Sequence, residues 1–247
     1  MNNSLKKRKN LDILKKIKIA HRGLWNEDIP ENSIGAFKRC IDKNIPIELD
    51  IHLLKDNTLV VFHDDNLLRM VGKDIVLKNC SYNDIKDFKL KNTNYNIPTL
   101  EEVLKLVNGK VMLDIELKTD VDGVRICEKL IKYLDNYNGK FIVKSFNPLY
   151  IWWFKINRPN YIRGFLVSKL KKMKMNKLFK CAISNMWFYF LAKPDFISFD
   201  YRDLPNKKIE KLRQKGVPIL LFTIDEKDIV NYEKDYAGFL YEEKKRI

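Results

Sequence analysis

Nine short apolar runs, most of them rich in β-branched residues, recur along the chain at 18–23, 46–54, 59–64, 111–117, 141–146, 162–168, 196–201, 218–224 and 238–242. Between most of them apolar residues return at helical spacing. This rhythm constrains the fold more than any other feature, because parallel strands need crossovers of about a dozen residues or more, usually helical. Helices are expected at 32–43, 100–107, 121–133 and 206–215, the last starting after Pro205 and stopping at Gly216. The link from His52 to Leu59 through Lys55-Asp56-Asn57 is too short for a crossover and reads as a hairpin. Setting that hairpin strand aside leaves the eight strands of a (β/α)8 TIM-type barrel, an α/β fold. An open doubly wound sheet is the alternative, but no G-x-G-x-x-G turn follows the first strand.

A chain of 247 residues, 45% of them hydrophobic, can fill a core of that size. No linker or composition break marks a second domain, so the organisation expected is a basic N-terminal extension, 1–17, followed by a single domain, 18–247. Residues 66–98 are polar and irregular, an excursion between a strand end and the next helix, where such segments usually shape a site. The N-terminal stretch interrupts its apolar residues with lysines and lacks the core of a secretion signal. The longest wholly apolar run, 186–192, is far short of the roughly 20 residues that span a bilayer. Cys40, Cys80, Cys127 and Cys181 contain no C-x-x-C pair, which excludes a zinc knuckle or small disulfide scaffold and fits reduced, mostly buried thiols in a cytoplasmic protein. The net charge of +15 attracts anions, and no nucleic-acid-binding motif accompanies it.

Of three histidines, His21 and His63 stand at strand ends, each beside a charged residue. In an α/β barrel such ends gather at one mouth, so the two imidazoles are expected to face one pocket. Glu48 and Asp50 alternate along one strand and share a face; Glu116 and Lys118 repeat the arrangement on another. Acidic side chains within runs such as PIELDI and VMLDIEL are costly to bury unless paired or bound to metal. Three oxygen ligands from two strands suit one hard divalent ion, Mg²⁺ or Ca²⁺.

Five motifs stand in order: Ala20-His21-Arg22-Gly23, Pro30-Glu31-Asn32-Ser33, Glu48-Leu49-Asp50-Ile51-His52 leading to Lys55-Asp56-Asn57, Leu59-Val60-Val61-Phe62-His63-Asp64, and Ile115-Glu116-Leu117-Lys118. In these the sequence resembles the glycerophosphodiester phosphodiesterase family in its cytoplasmic bacterial form, with weaker echoes in Ser145-Phe146, 196–204 and 218–225. The resemblance implies a (β/α) barrel that hydrolyses glycerophosphodiesters to sn-glycerol 3-phosphate and an alcohol, with one divalent metal and two histidines. By motif, His21 and His63 are then the acid/base pair, Glu48, Asp50 and Glu116 hold the metal, and Arg22 and Lys118 contact the phosphate. His52 is not among that family's catalytic histidines and reads as a hydrogen-bonding residue near the metal strand. By analogy with related barrels, the glycerol 2-hydroxyl attacks first and a cyclic phosphate is then opened by water.

Departures from the family pattern also carry expectations. Many members have a tryptophan before the threonine of a late strand; here Phe222-Thr223-Ile224 keeps an aromatic wall for substrate without the indole N–H, a position that barrel packing explains equally well. Asn57 replaces the usual glycine of its turn, a mild change because Asn tolerates a left-handed backbone. Segment 169–192 sets six lysines ahead of a tryptophan-containing apolar stretch. A solvated loop followed by a packed helix is the preferred reading, and peripheral contact with an anionic membrane the alternative. Two competing functions are a lysophospholipase D-type hydrolysis of a lipid-bearing diester at a membrane surface and a non-catalytic headgroup-binding barrel.

Overall fold

The computed structural model describes residues 9–119, 123–169, 187 and 189–243. Its strands are β1 (Ile17–Ala20), β2 (Ile47–Leu53), β3 (Leu59–Val61), β4 (Leu113–Leu117), β5 (Phe141–Ser145), β6 (Arg163–Val167), β7 (Phe196–Asp200), β8 (Ile219–Asp225) and β9 (Gly238–Glu242). All nine fall on the apolar runs. The sheet runs β1-β9-β8-β7-β6-β5-β4-β2-β3, and a β1–β2 pairing at Ala20 and Ile47 closes it. The eight strands other than β3 are parallel and form the closed barrel expected from the sequence.

β3 is the antiparallel arm of the hairpin, with Ile51 opposite Val61 and Leu53 opposite Leu59. It takes up the upper half of β2, which β1 no longer covers because β1 ends at Ala20. The hairpin thereby returns the chain to the rim, where the Phe62 N–H donates to the Asp50 carbonyl at 3.0 Å. Asn57 turns it with φ of 65°, as its replacement of glycine allows.

Period-two alternation divides the strand residues into two layers. Outward-facing Leu49, Ile51, Leu113, Ile115, Val143, Phe165 and Ile197 pack with residues of the flanking helices into the largest buried cluster. Inward-facing Ile19, Met112, Ile142, Phe196, Leu220 and Leu240 form a second cluster at the floor, closed by Leu14 from the one-turn helix Leu11–Leu14. Gly164 makes that floor possible: a Cβ there would lie 2.2 Å from the Phe196 ring. Above the apolar floor the interior turns polar, with Glu48, Asp50, Asp114, Glu116, Lys144, Ser198 and Asp200 all buried.

Helix α1 (Ile34–Asp42) starts at Ser33, whose side chain accepts the Ala36 N–H. The excursion carries two one-turn helices, α2 (Leu68–Val71) and α3 (Tyr82–Ile85). It buries its own apolar cluster of Leu54, Val60, Phe62, Met70, Leu77, Ile85 and Ile97 against the hairpin. Helix α4 (Leu100–Val107) opens on a Thr99/Glu102 capping box. Helix α5 (Arg125–Leu134) begins later than the sequence suggests, and residues 120–122 lie outside the description. Helix α6 (Pro148–Asn157) was not expected from the spacing. Its sequence, PLYIWWFKIN, is apolar on every side, so no amphipathic stripe announces it. The helix Lys207–Gln214, capped by Asn206, matches its expected start and stop. Cys40, Cys80 and Cys127 are free and buried, burial pushing the Cys40 thiol up to about 12; Cys181 lies outside the described residues.

Candidate active site at the barrel mouth

Glu48 and Asp50 project inward from β2, and Glu116 does so from β4, where it stands in register with Asp50. One carboxylate oxygen from each lies within 4.8 Å of the others, and the residues are 0%, 1% and 7% exposed. Like charges that close repel by about 3 kcal/mol per pair even at an effective dielectric of about 20. The cluster therefore needs cations.

Lys118 Nζ sits 2.7 Å from Asp50 Oδ1 and 2.6 Å from Glu116 Oε1. Burial alone would discharge that lysine, but the two carboxylates raise its pKa above the ordinary value. Arg22 donates its backbone N–H to Glu48 Oε2 at 2.9 Å, and Asn32 donates its side-chain amide to Asp50 Oδ2 at 2.8 Å. Glu48 Oε1 and Asp50 Oδ1 accept no well-aligned hydrogen bond within the protein and meet only lysine ammoniums, Lys144 at 3.2 Å and Lys118 at 2.7 Å, so each keeps a lone pair. Buried carboxylate oxygens with acceptor capacity to spare are what a hard, oxygen-seeking divalent cation requires, so the residues fit such an ion. Burial opposes ionisation of Asp50, yet Lys118, His63 and Arg22 together hold its carboxyl well below the usual range.

The turn after β1 aims these groups. Arg22 adopts φ of 59° and Gly23 φ of 80°, and a Cβ on Gly23 would meet Ala36 Cβ at 2.9 Å. Glycine is thus required both for backbone conformation and for close approach of α1. The Arg22 guanidinium donates to Glu31 Oε1 at 2.7 Å, and Arg69 from α2 donates to both Glu31 oxygens and to Asp64. Burial would raise the Glu31 carboxyl, but the hydrogen bond from Arg69 and the Arg22 charge bring it down to about 2.

His21 and His63 occupy equivalent settings. His21 Nδ1 is 2.7 Å from Glu242 Oε1, and His63 Nδ1 is 2.6 Å from Asp64 Oδ1. In each ring Nε2 is the nitrogen left to the cavity. His52, buried on the same strand as Glu48 and Asp50, sets its Nε2 3.2 Å from the His63 carbonyl oxygen.

The mouth opens as two adjoining lobes. One, of about 400 Å³, is lined by His21, Arg22, His63, Lys118, Asp200 and Phe222 among others. The other, of about 330 Å³, shares His63, Glu116, Lys118 and Phe146 and adds Asp64 and Asp65. Phe222 stands edge-on to Phe146 with ring centroids 6.3 Å apart. A larger concavity, about 650 Å³, lies at the opposite end of the barrel among the turns that enter β2, β4 and β5, and contains none of these groups.

The structure thus gathers every candidate drawn from the sequence: His21, His63, Glu48, Asp50, Glu116, Arg22, Lys118 and Phe222. Asn32, Glu31, Asp64, Arg69, Glu242, Asp114 and Lys144 carry no role that the sequence alone announces. The signals available were Glu31-Asn32 within a motif, Asp64 next to His63, and a lysine inside the apolar run FIVKSF.

The model of the glycerophosphoryl diester phosphodiesterase family matches residues 21–240. A glycerophosphodiester phosphodiesterase of Caldanaerobacter subterraneus subsp. tengcongensis is 30% identical over 229 residues, 87% of this chain and 88% of that one. A putative glycerophosphodiester phosphodiesterase of Bacillus subtilis is 33% identical over 226 residues, 84% and 85% of the two chains. The structure of an Oleispira antarctica phosphodiesterase in complex with the product sn-glycerol-3-phosphate superposes with a TM-score of 0.78, covering 93% and 94% of the chains; at 20% identity the likeness is one of fold.

Proposed function

Since the chain belongs to the glycerophosphoryl diester phosphodiesterase family, we propose that it hydrolyses glycerophosphodiesters to sn-glycerol 3-phosphate and an alcohol through a two-histidine mechanism. One observation carries this reading: two carboxylate-held imidazoles line a cavity that Glu116 also lines, with Glu48 and Asp50 buried beside Glu116 in the same three-carboxylate cluster. Glu48, Asp50 and Glu116 would hold one divalent cation, Mg²⁺ or Ca²⁺, which when bound supplies positive charge to the phosphate oxygens. Arg22 and Lys118 bring N–H donors to the same anion.

Proton traffic falls to the histidines. One Nε2 accepts the proton of the attacking hydroxyl while the other delivers a proton to the departing alkoxide. Glu242 and Asp64, on the two Nδ1 atoms, fix ring orientation and stabilise whichever imidazole is protonated. If the glycerol 2-hydroxyl attacks first, a cyclic glycerophosphate precedes the product and is seen by ³¹P NMR during turnover; its absence in a rapid-quench series refutes that order. Phe222 packs against the alcohol or glycerol moiety.

The test is an assay of purified protein on a panel of glycerophosphodiesters with Mg²⁺ or Ca²⁺. Glycerol 3-phosphate should appear, a chelator should stop it, and His21→Ala or His63→Ala should each lower kcat by about 10²–10⁴ with the fold intact. A folded His63→Ala enzyme with wild-type turnover would remove the two-histidine scheme.

Among the described residues no helix is long and apolar enough to cross a membrane. A specific observation nevertheless favours a second, peripheral setting. Leu149, Trp152 and Ile156 on α6 are exposed, as are Trp187, Phe190 and Leu191, and Lys155 of α6 donates to the Leu191 carbonyl at 3.0 Å. The chain between these elements carries Lys169, Lys171, Lys172, Lys174, Lys177 and Lys180 and no acidic residue; 170–186 and 188 lie outside the described residues. This combination suits contact with an anionic membrane by a cytoplasmic, single-domain enzyme, and with it a lysophospholipase D-type activity on lipid-bearing diesters. Flotation with acidic liposomes, and turnover of glycerophosphocholine against lysophosphatidylcholine, separate the two settings.

A further inference from the structure

The barrel interior holds a second buried ion cluster that the proposed reaction leaves unused. Lys144 Nζ, on β5, lies 2.7 Å from Asp114 Oδ2 and 3.2 Å from Glu48 Oε1, and its side chain is 0% exposed. Lys144 lines neither lobe of the mouth, so it cannot touch substrate. Asp114 stands on β4 one inward position nearer the floor than Glu116 and opposite Glu48 in register.

Stability alone does not explain this pair, because apolar residues of the same volume usually serve a barrel core as well as a buried ion pair or better. Its neighbours do explain it. Lys118 engages Asp50 and Glu116, leaving Glu48 as the third carboxylate of the cluster without that ammonium. Glu48 is otherwise held by the Arg22 backbone N–H on Oε2, a contact that leaves Oε1 to find its own partner. Lys144 is the ammonium that reaches it. The three clustered carboxylates thus lie between two lysines, one facing the cavity and one facing the protein interior.

We propose that Lys144, itself held in place by Asp114, is a positioning residue that fixes the Glu48 carboxylate and offsets its charge so that Glu48, Asp50 and Glu116 present a single cation site. The inference rests on the metal reading given above and extends it to a residue that never meets ion or substrate. Partners that orient a metal ligand typically change affinity for the ion by about 10–100-fold when removed.

The test is calorimetric titration of chelator-stripped protein with Mg²⁺ and with Ca²⁺. The double exchange Lys144→Met with Asp114→Asn removes both charges with little change in volume, so that no carboxylate is left unpaired at 114 and the loss read is that of the ammonium on Glu48. It should remain folded, raise the dissociation constant for the ion about 10–100-fold, and regain turnover at high ion concentration. Unaltered affinity in a folded double variant overturns the proposal. Lys144→Gln with Asp114→Asn, which removes both charges but keeps polar side chains of nearly the same size, provides the second measurement should the first double variant not fold. It should weaken ion binding about tenfold, and wild-type affinity overturns the proposal. Wild-type protein that takes up neither ion overturns the metal reading itself, and this inference with it.

Discussion

Glu31 shows how much of this site is electrostatic support for groups that do the chemistry. It ties Arg22, beside the carboxylate cluster, to Arg69, which holds the Asp64 carboxylate on His63. Its carboxyl is held at about 2 against an ordinary 4.5, so the folded protein binds fewer protons there than the unfolded chain. That difference stabilises the fold fully above the unfolded value and disappears as pH falls from about 4.5 toward 2, an effect of about 3 kcal/mol. Glu31→Gln should therefore cost stability at neutral pH, and the cost should shrink below pH 3, as urea midpoints measured across the range will show. A cost that stays constant with pH would mean that Glu31 acts through packing alone. The candidate side chains themselves were legible from the sequence because strand alternation and motif spacing are local properties. Their supports were not: Glu242 meets His21 from 221 residues away, a contact that exists only once β9 closes against β1.

At the scale of elements, legibility followed the strength of the local pattern. The hairpin is readable because the four residues between the runs 46–54 and 59–64 are too few for a crossover, and the antiparallel β2–β3 ladder bears it out. Helix α6 was invisible for the opposite reason: Tyr150, Ile151 and Phe154 are buried while Leu149, Trp152 and Ile156 are exposed, so both faces are apolar. Side-chain shape within the barrel was equally hidden, since no periodicity tells that Gly164 on β6 is the space into which Phe196 of β7 fits. Gly164→Ala should cost about 1–3 kcal/mol by overpacking, and Phe196→Leu in the same chain should return part of it. Thermal unfolding of the two single variants and the double variant measures the coupling. Additive costs would mean that the floor relaxes around the added methyl group and that the close fit of ring and glycine carries no energy.

The whole molecule combines opposite charges at different depths. The whole chain carries a net +15, whereas the interior beneath the mouth is crowded with Glu48, Asp50, Asp114 and Glu116. The buried carboxylates have their own lysines and the proposed ion to offset them, so an approaching diester meets a net positive chain and a cavity whose lining mixes Arg22, Lys118, Lys169 and Arg202 with Glu116, Asp200 and Asp203. Such a field concentrates anions and is screened over about 8–10 Å at physiological salt. Two substrates of the same bond type separate this effect from the chemistry, because glycerophosphoglycerol carries a net negative charge and glycerophosphocholine is neutral overall. Raising salt from about 20 to 200 mM at fixed divalent ion should lower kcat/KM several-fold for the anionic diester and much less for the zwitterion. The loss should lie in KM, with kcat nearly unchanged, because screening alters delivery rather than the buried carboxylates and their lysines. Equal salt dependence for both substrates would place the charge effect at the bound phosphate instead of in the surface field, and the large positive charge would then have no part in substrate capture.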